Sequence, residues 1–357
     1  MPWEPADLSD QPIAGLDAEQ QAVFDRGDEL FDLSLRDADG LGPLYARASC
    51  GQCHDAAARG PGVVQKFGVM QADGVTPHPD QSKLTYGHTE RPLVTAGATT
   101  PLIAPKDSDV RVSRRSGPPV MGLGYLEAVP DETLAELERA QAARDDGISG
   151  RRNTGRFGLK ARLSTLDEFT ADALLSDMGI TSPLRPNELP NPDGLTDDMK
   201  PGVDLTMESL KARADYLRLL AIPRRKVTAA GRAAFEAARC DGCHVQRLRA
   251  SANYPVRQIA GVEAEVFTDL LLHDLGAGLA DGLAADDGDA GPREWRTAPL
   301  IGLRFSRRYL HDSRAGTVAE AIELHFSDGS EANDSVSRFR ALPEADRAAL
   351  IAFVEAL

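Results

Sequence analysis

The chain has 357 residues, 42% of them apolar, and a formal charge of −15, enough for two or three domains with substantial cores. The negative balance argues against nucleic acid and anionic membrane surfaces as partners. No apolar run approaches the ~20 residues of a membrane-spanning helix. Acidity of this kind suits a protein that meets a basic partner.

The opening Met1-Pro2-Trp3-Glu4 is polar and shows no secretory leader. The first chemical signal is Cys50-Gly51-Gln52-Cys53-His54. Then comes Pro118-Pro119-Val120-Met121-Gly122-Leu123-Gly124, followed by Tyr125-Leu126. Met207, Leu210, Ala214, Leu217 and Ala221 recur at helical spacing until Pro223 ends the run. Residues 222–227 read as a linker, and residues 228–239 as a helix leading into Cys240-Asp241-Gly242-Cys243-His244. A last helix follows Pro343, with Leu350, Phe353, Val354 and Leu357 on one face. Few alternating runs appear, so the expected fold is mainly α with long loops and little β.

Two thiols one helical turn apart can bond both vinyl groups of one porphyrin, and the residue that follows carries an imidazole to the iron. Each Cys-x-x-Cys-His is therefore the attachment signature of a c-type haem. A four-thiolate zinc site or two short disulfides would also use four cysteines, but neither explains a histidine after each pair. Covalent haem attachment takes place outside the cytoplasm. The expectation is thus an exported, periplasmic protein with two haem c, its leader absent from this chain. The predicted domains are residues 1–222, with Cys50, Cys53 and His54, and residues 223–357, with Cys240, Cys243 and His244.

The segments after the two motifs form a weak internal repeat. Pro118–Leu126 answers Ala298-Pro299-Leu300-Ile301-Gly302-Leu303 and Tyr309-Leu310, and Thr133-Leu134-Ala135-Glu136 answers Thr317-Val318-Ala319-Glu320. Continued in register, His325 stands where the first copy has Gln141. A helix crossing the distal haem face would place His325 on the second iron, giving a six-coordinate His244/His325 centre. The first haem lacks that ligand; His88, Met121, Met70 and His78 are its possible sixth ligands, His88 first among them.

The run Glu294-Trp295-Arg296-Thr297-Ala298-Pro299-Leu300-Ile301-Gly302-Leu303, with Tyr309-Leu310-His311-Asp312-Ser313-Arg314-Ala315, resembles the di-haem oxidoreductase family. That family lies in the superfamily of bacterial di-haem cytochrome c peroxidases and MauG-type maturation enzymes. Residues 155–160, 176–184 and 269–276 carry further likeness, and the resemblance extends from about residue 40 to the end. It implies two facing cytochrome c-like domains, with the peroxidatic haem first and the electron-transfer haem second. Relatives carry an aromatic-Trp-Asp-Gly turn in the first domain, replaced here by Tyr125-Leu126-Glu127-Ala128. Trp295, Tyr125 and Tyr309 are left as electron-relay candidates. Relatives put Met or Tyr on the second haem, where this chain offers His325. The loop at residues 145–151 resembles one that could bind Ca2+ in relatives, although Ala142 and Arg144 stand where further aspartates are expected.

Glu127 and Glu136 are the carboxylates considered for moving a proton between peroxide oxygens. His311-Asp312 and His273-Asp274 are possible imidazole–carboxylate pairs, more readily read as structural. Arg111, Arg114, Arg115, Arg151 and Arg152 could pair haem propionates. The functional expectation is a peroxidase-like oxidoreductase that reduces hydrogen peroxide or a similar oxidant at the His54 haem. Electrons would arrive through His244/His325. The alternatives are a non-catalytic electron-transfer cytochrome and a MauG-like enzyme that oxidises a protein partner.

Overall fold

A computed structural model describes residues 9–60, 62–95, 97–195, 202–283 and 290–357. The opening Met1-Pro2-Trp3-Glu4 and positions 284–289 lie outside the described residues. Helix dominates: α1 (Ala18–Asp32), α2 (Leu123–Glu127), α3 (Asp131–Ala142), α4 (Leu166–Met178), α5 (Met207–Leu219), α6 (Ala229–Ala237), α7 (Val318–Leu324), α8 (Asn333–Ala341) and α9 (Glu344–Glu355). The strands form two-stranded antiparallel pairs. β1 (Leu44–Tyr45) pairs with β3 (Leu93–Val94), and β2 (Val63–Val69) with β4 (Val110–Ser116). β5 (Arg247–Arg249) pairs with β6 (Glu263–Glu265), and β7 (Leu272–Asp274) with β8 (Glu294–Arg296).

Local chemistry sets the helix ends. Asp17 accepts the Gln20 N–H while the Gln20 side chain accepts the Asp17 N–H, a capping box that starts α1. Thr206 and Thr228 cap α5 and α6 through their hydroxyls. α5 stops at Leu219, two residues short of the apolar pattern. There the backbone leaves the helix to pair with the N-terminal segment: Ile13 N–H donates to Leu219 O, and Ala221 N–H to Gln11 O, both at 2.8 Å.

Close helix contacts depend on glycine. A methyl at Gly27 would come within 2.5 Å of Ala212 O and Tyr216 Cβ, so glycine is what lets α1 lie on α5. Phe24 and Phe31 then pack their rings 5.0 and 5.2 Å from Tyr216. Gly231 does the same for α6 on α9, with Phe353 Cβ 2.5 Å from where its own Cβ would be. That contact gathers Phe235, Phe267, Val318, Phe339, Leu350 and Phe353 into one apolar cluster. A larger cluster runs from Ile13 and Phe24 through Leu126 and Leu217 to Val266, Leu270 and Ile301, and so crosses position 222.

The register inferred from the repeat does not carry into the structure. Thr317 is the N-cap of α7 and accepts the Glu320 N–H, whereas Thr133 is the third residue of α3, whose N-cap is Pro130. Gln141, the expected counterpart of His325, is buried beside the second motif. Its Nε2 donates to Asp269 Oδ2 at 2.7 Å and to Gly242 O at 3.3 Å. Helix α3 therefore serves the second motif as well.

Candidate haem centres

One cavity of about 850 Å³ holds the chemistry, within the ~300–1,000 Å³ typical of cofactor and ligand sites. His54, His244 and His325 all line it, as do Cys240, Cys243, His88, Met121, Trp295 and Tyr309. The two motifs, far apart in sequence, thus face a common space.

The seven histidines sort themselves by their hydrogen bonds. His54 Nδ1–H donates to Pro118 O at 2.7 Å, and His244 Nδ1–H to Phe267 O at 3.0 Å. His325 Nδ1–H donates to Ala321 O at 2.6 Å, and His88 Nδ1–H to Phe67 O at 3.2 Å. A carbonyl only accepts, so each of these bonds fixes the tautomer and leaves Nε2 as a bare lone pair, the state an axial ligand needs. Burial also holds His54 and His244 neutral, pushing each down to about 4, and lowers His325.

The other three histidines are differently engaged. His273 has both nitrogens on carboxylates: Nε2 at 2.9 Å from Asp269 and Nδ1 at 2.7 Å from Glu331. Its sequence neighbour Asp274 is not its partner; that carboxylate goes to Arg293. His311 stands 4.0 Å from Asp312, which is held by Arg314, so no catalytic dyad forms there. His78 is exposed, its Nδ1 turned onto the Asp80 backbone. Met121 is buried with its thioether wedged against Gly302, where even a Cβ would come to 3.0 Å from Sδ.

All four thiols are free. Burial pushes Cys50 up to about 11 and Cys240 to about 12, so both are protonated thiols at neutral pH. Cys240 and Cys243 face the cavity, whereas Cys50 and Cys53 stand outside its lining. Around His54 the wall is built for close approach: a Cβ at Gly117 would come to 2.9 Å from His54 Cε1 and 3.2 Å from Nε2. Arg296 lines the cavity, is 9% exposed, and has Nε and Nη1 without a partner. Orphaned guanidinium donors facing a cavity suit an anionic group such as a propionate. The donor set and the cradle therefore fit haem.

The carboxylates expected to act as acid or base do not reach the cavity. Glu127 is bound by Arg218 at 2.8 and 3.1 Å, by the Tyr254 hydroxyl at 2.6 Å and by the Leu166 N–H at 2.7 Å. Its oxygens are saturated, and these bonds hold it ionised. Glu136 is on the exposed face of α3, and Tyr125 packs against the apolar core rather than the cavity. Asp177 lines the cavity instead. Its backbone carbonyl accepts the Ala46 N–H at 2.7 Å, its charge is felt by Cys50 and Cys53, and burial pushes its carboxyl up to about 6. The sequence signal for it was the segment 176–184, which carried family likeness but no assigned chemistry.

Asp146 in the loop expected to bind Ca2+ is taken up by Arg239, by Arg144 at 3.4 Å and by the Ile148 N–H. Among the described residues no group of three His, Cys, Asp or Glu side chains converges on a common metal position. Of the arginines expected on propionates, Arg115 lines the cavity but pairs with Asp281. Arg111 donates to Ala280 O, and Arg151 and Arg152 pair with Glu294 and Glu138.

A family model described as di-haem oxidoreductase, putative peroxidase, matches residues 102–357. The chain belongs to that family. Comparison with curated proteins finds no match. Among solved structures the chain is similar to hydrazine synthase of Kuenenia stuttgartiensis pressurised with xenon, at 16% identity and TM-score 0.46, covering 100% of this chain and 96% of that one. It is also similar to the diheme peroxidase BthA of Burkholderia thailandensis, at 16% identity and TM-score 0.46, covering 99% and 88%.

Proposed function

We propose that the protein is a periplasmic di-haem c peroxidase that reduces hydrogen peroxide or a similar small oxidant beside His54. In this reading a small redox protein delivers electrons by way of His244. The haems are attached at Cys50/Cys53 and Cys240/Cys243, and the domains divide near residue 222. Haem c at these positions supplies one-electron transfer and peroxide reduction.

The observation that carries the reading is the uneven distribution of bare Nε2 atoms. His244 shares the cavity with a second such imidazole, His325, at the end of α7, and a haem held by both would be closed to exogenous molecules. On the His54 side the group considered is His88, which lines the same cavity from the stretch 70–109 between β2 and β4, its backbone tied to β2 by the Phe67 N–H to His88 O bond at 2.9 Å. In this reading the His88 side chain alone would swing away, its backbone staying on β2, and the His54 side would then be open. Asp177, a carboxyl poised near pH 6, is placed to hold and pass the proton that O–O cleavage needs. Among the described residues no helix is long and apolar enough to cross a membrane.

Electron paramagnetic resonance of the oxidised and half-reduced protein, with and without peroxide, tests this. One low-spin centre that ignores peroxide and one that changes with it is the expected result. Two low-spin signals in both redox states, untouched by peroxide, would leave an electron carrier.

A further inference from the structure

The carbonyl that orients His244 belongs to Phe267, a residue with φ of +50°. Left-handed backbone is unfavourable for a bulky side chain, so its surroundings must hold it there. Phe235 and Phe353 pack edge-on to its ring at 5.9 and 5.7 Å. Two guanidiniums also lie over that ring, Arg225 at 5.3 Å and Arg232 at 5.7 Å, within cation–π range.

Arg225 is unusual among the buried cations. Its side chain is 6% exposed, none of its three nitrogens has a hydrogen-bond partner, and its nearest carboxylate, Glu265, is 3.9 Å away. Glu265 is already engaged by Arg247 at 2.8 Å and by Arg232 at 3.1 Å. Three cations share one carboxylate, which leaves uncompensated positive charge in a poorly solvated region against the residue that holds the proximal histidine. Such charge is weakly screened and favours the form of a neighbouring redox centre that has gained an electron.

We propose that Arg225 and Arg232 are positioning residues that raise the reduction potential of the second haem. They do so by their charge and by fixing Phe267 under His244. This rests on the reading that His244 holds that haem. The consequence is electronic: a bis-imidazole centre held by neutral ligands alone has a low potential, and the two guanidiniums bring it closer to that of a donor.

Optical redox titration of the two-haem protein tests the inference. Arg225→Met is expected to raise the oxidised-to-reduced ratio of the second haem about tenfold at a fixed ambient potential, a fall of about 59 mV for one electron. Arg225→Lys, which keeps the charge, restores most of the shift. Glu265→Gln, which removes the only shared carboxylate, moves the potential upward. The first haem stays unmoved in all three. If Arg225→Met folds poorly, Arg232→Met and Glu265→Gln still give opposite signs. An unmoved second potential in well-folded Arg225→Met, or movement in the same direction in Arg225→Met and Glu265→Gln, overturns the proposal. A His244→Gly protein that keeps both low-spin spectra would instead overturn the assignment of the haem to His244.

Discussion

The indole of Trp295 lies 3.7 Å from the imidazole of His311, the rings 18° from parallel. This stack is one link in a continuous series of contacts between the motifs. Cys243 Sγ is 3.6 Å from His273 Nδ1, and His273 sits opposite Trp295 in the β7–β8 register. His311 O accepts the Ser116 N–H at 2.8 Å, and two residues on, Pro118 O accepts His54 Nδ1–H. Lys160 Nζ at 3.9 Å and Arg115 at 4.8 Å lie over the indole. Two cations on one ring oppose removal of an electron from it, so Trp295 suits transmission and not storage of an oxidising equivalent.

Trp295→Phe is therefore expected to slow electron transfer between the haems by about tenfold, ~1.4 kcal/mol in the barrier. Rapid mixing of the half-reduced protein with peroxide reads this rate. The native protein should show no tryptophan radical, and an intense radical signal would contradict the electrostatic reading of Lys160 and Arg115.

The His325 imidazole has Nδ1 tied to Ala321 O and its other nitrogen bare. Changing it to Gly should convert the second centre from low spin to high spin and leave the first unchanged. A spectrum identical to the parent protein would mean that His325 does not reach the metal.

The two Cys-x-x-Cys-His motifs, the helix that opens at Thr228 and the final apolar face were legible because they depend on short-range spacing. His325 lines the cavity, although the register that singled it out is not kept in the structure. It reaches that cavity from the end of α7, whereas Gln141 is drawn to Asp269 and Gly242. What sequence could not supply is which carboxylate is buried where. Glu127 is tied up by Arg218 and Tyr254, residues 91 and 127 positions away, and Asp177 reaches the cavity through the contact of α4 with the segment before the first motif. Long-range pairing of this kind leaves no periodic trace.

Asp177 is raised to about 6 by burial. Its carboxyl is thus protonated below that pH and ionised above it, and peroxide turnover should show an inflection near pH 6. In Asp177→Asn that inflection disappears, and turnover falls by about 10²-fold or more, the usual scale of a lost acid–base group. A pH profile in which the inflection survives the substitution would assign the proton to another group.

Gly117 is the close-approach position at the first centre. Its added methyl in Gly117→Ala would meet His54 Cε1 at 2.9 Å and Cys53 O at 3.1 Å, closer than relaxed packing allows. The expected outcome is a shifted spectrum of the first centre with the second unaffected. Equal shifts in both, or none, would show that the Gly117 wall is not what seats His54.

Glu127 makes a structural prediction with a definite pH sign. Its carboxylate is 10% exposed and its partner Arg218 16% exposed, and the arginine and N–H bonds hold its folded pKa below the ordinary value of 4.5. A depressed carboxylate binds protons less readily folded than unfolded. Its stabilisation is therefore complete above about pH 4.5 and is lost as pH falls through the lower folded value. Glu127→Ala leaves Arg218 and the Tyr254 hydroxyl without their central acceptor and should destabilise the fold by about 3–5 kcal/mol at pH 7. The penalty should shrink as pH falls through that lower folded value, where the parent protein also loses the pair. Denaturant unfolding of both proteins across the acid range measures this; a penalty independent of pH would mean that packing, not the charged hub, is what Glu127 contributes.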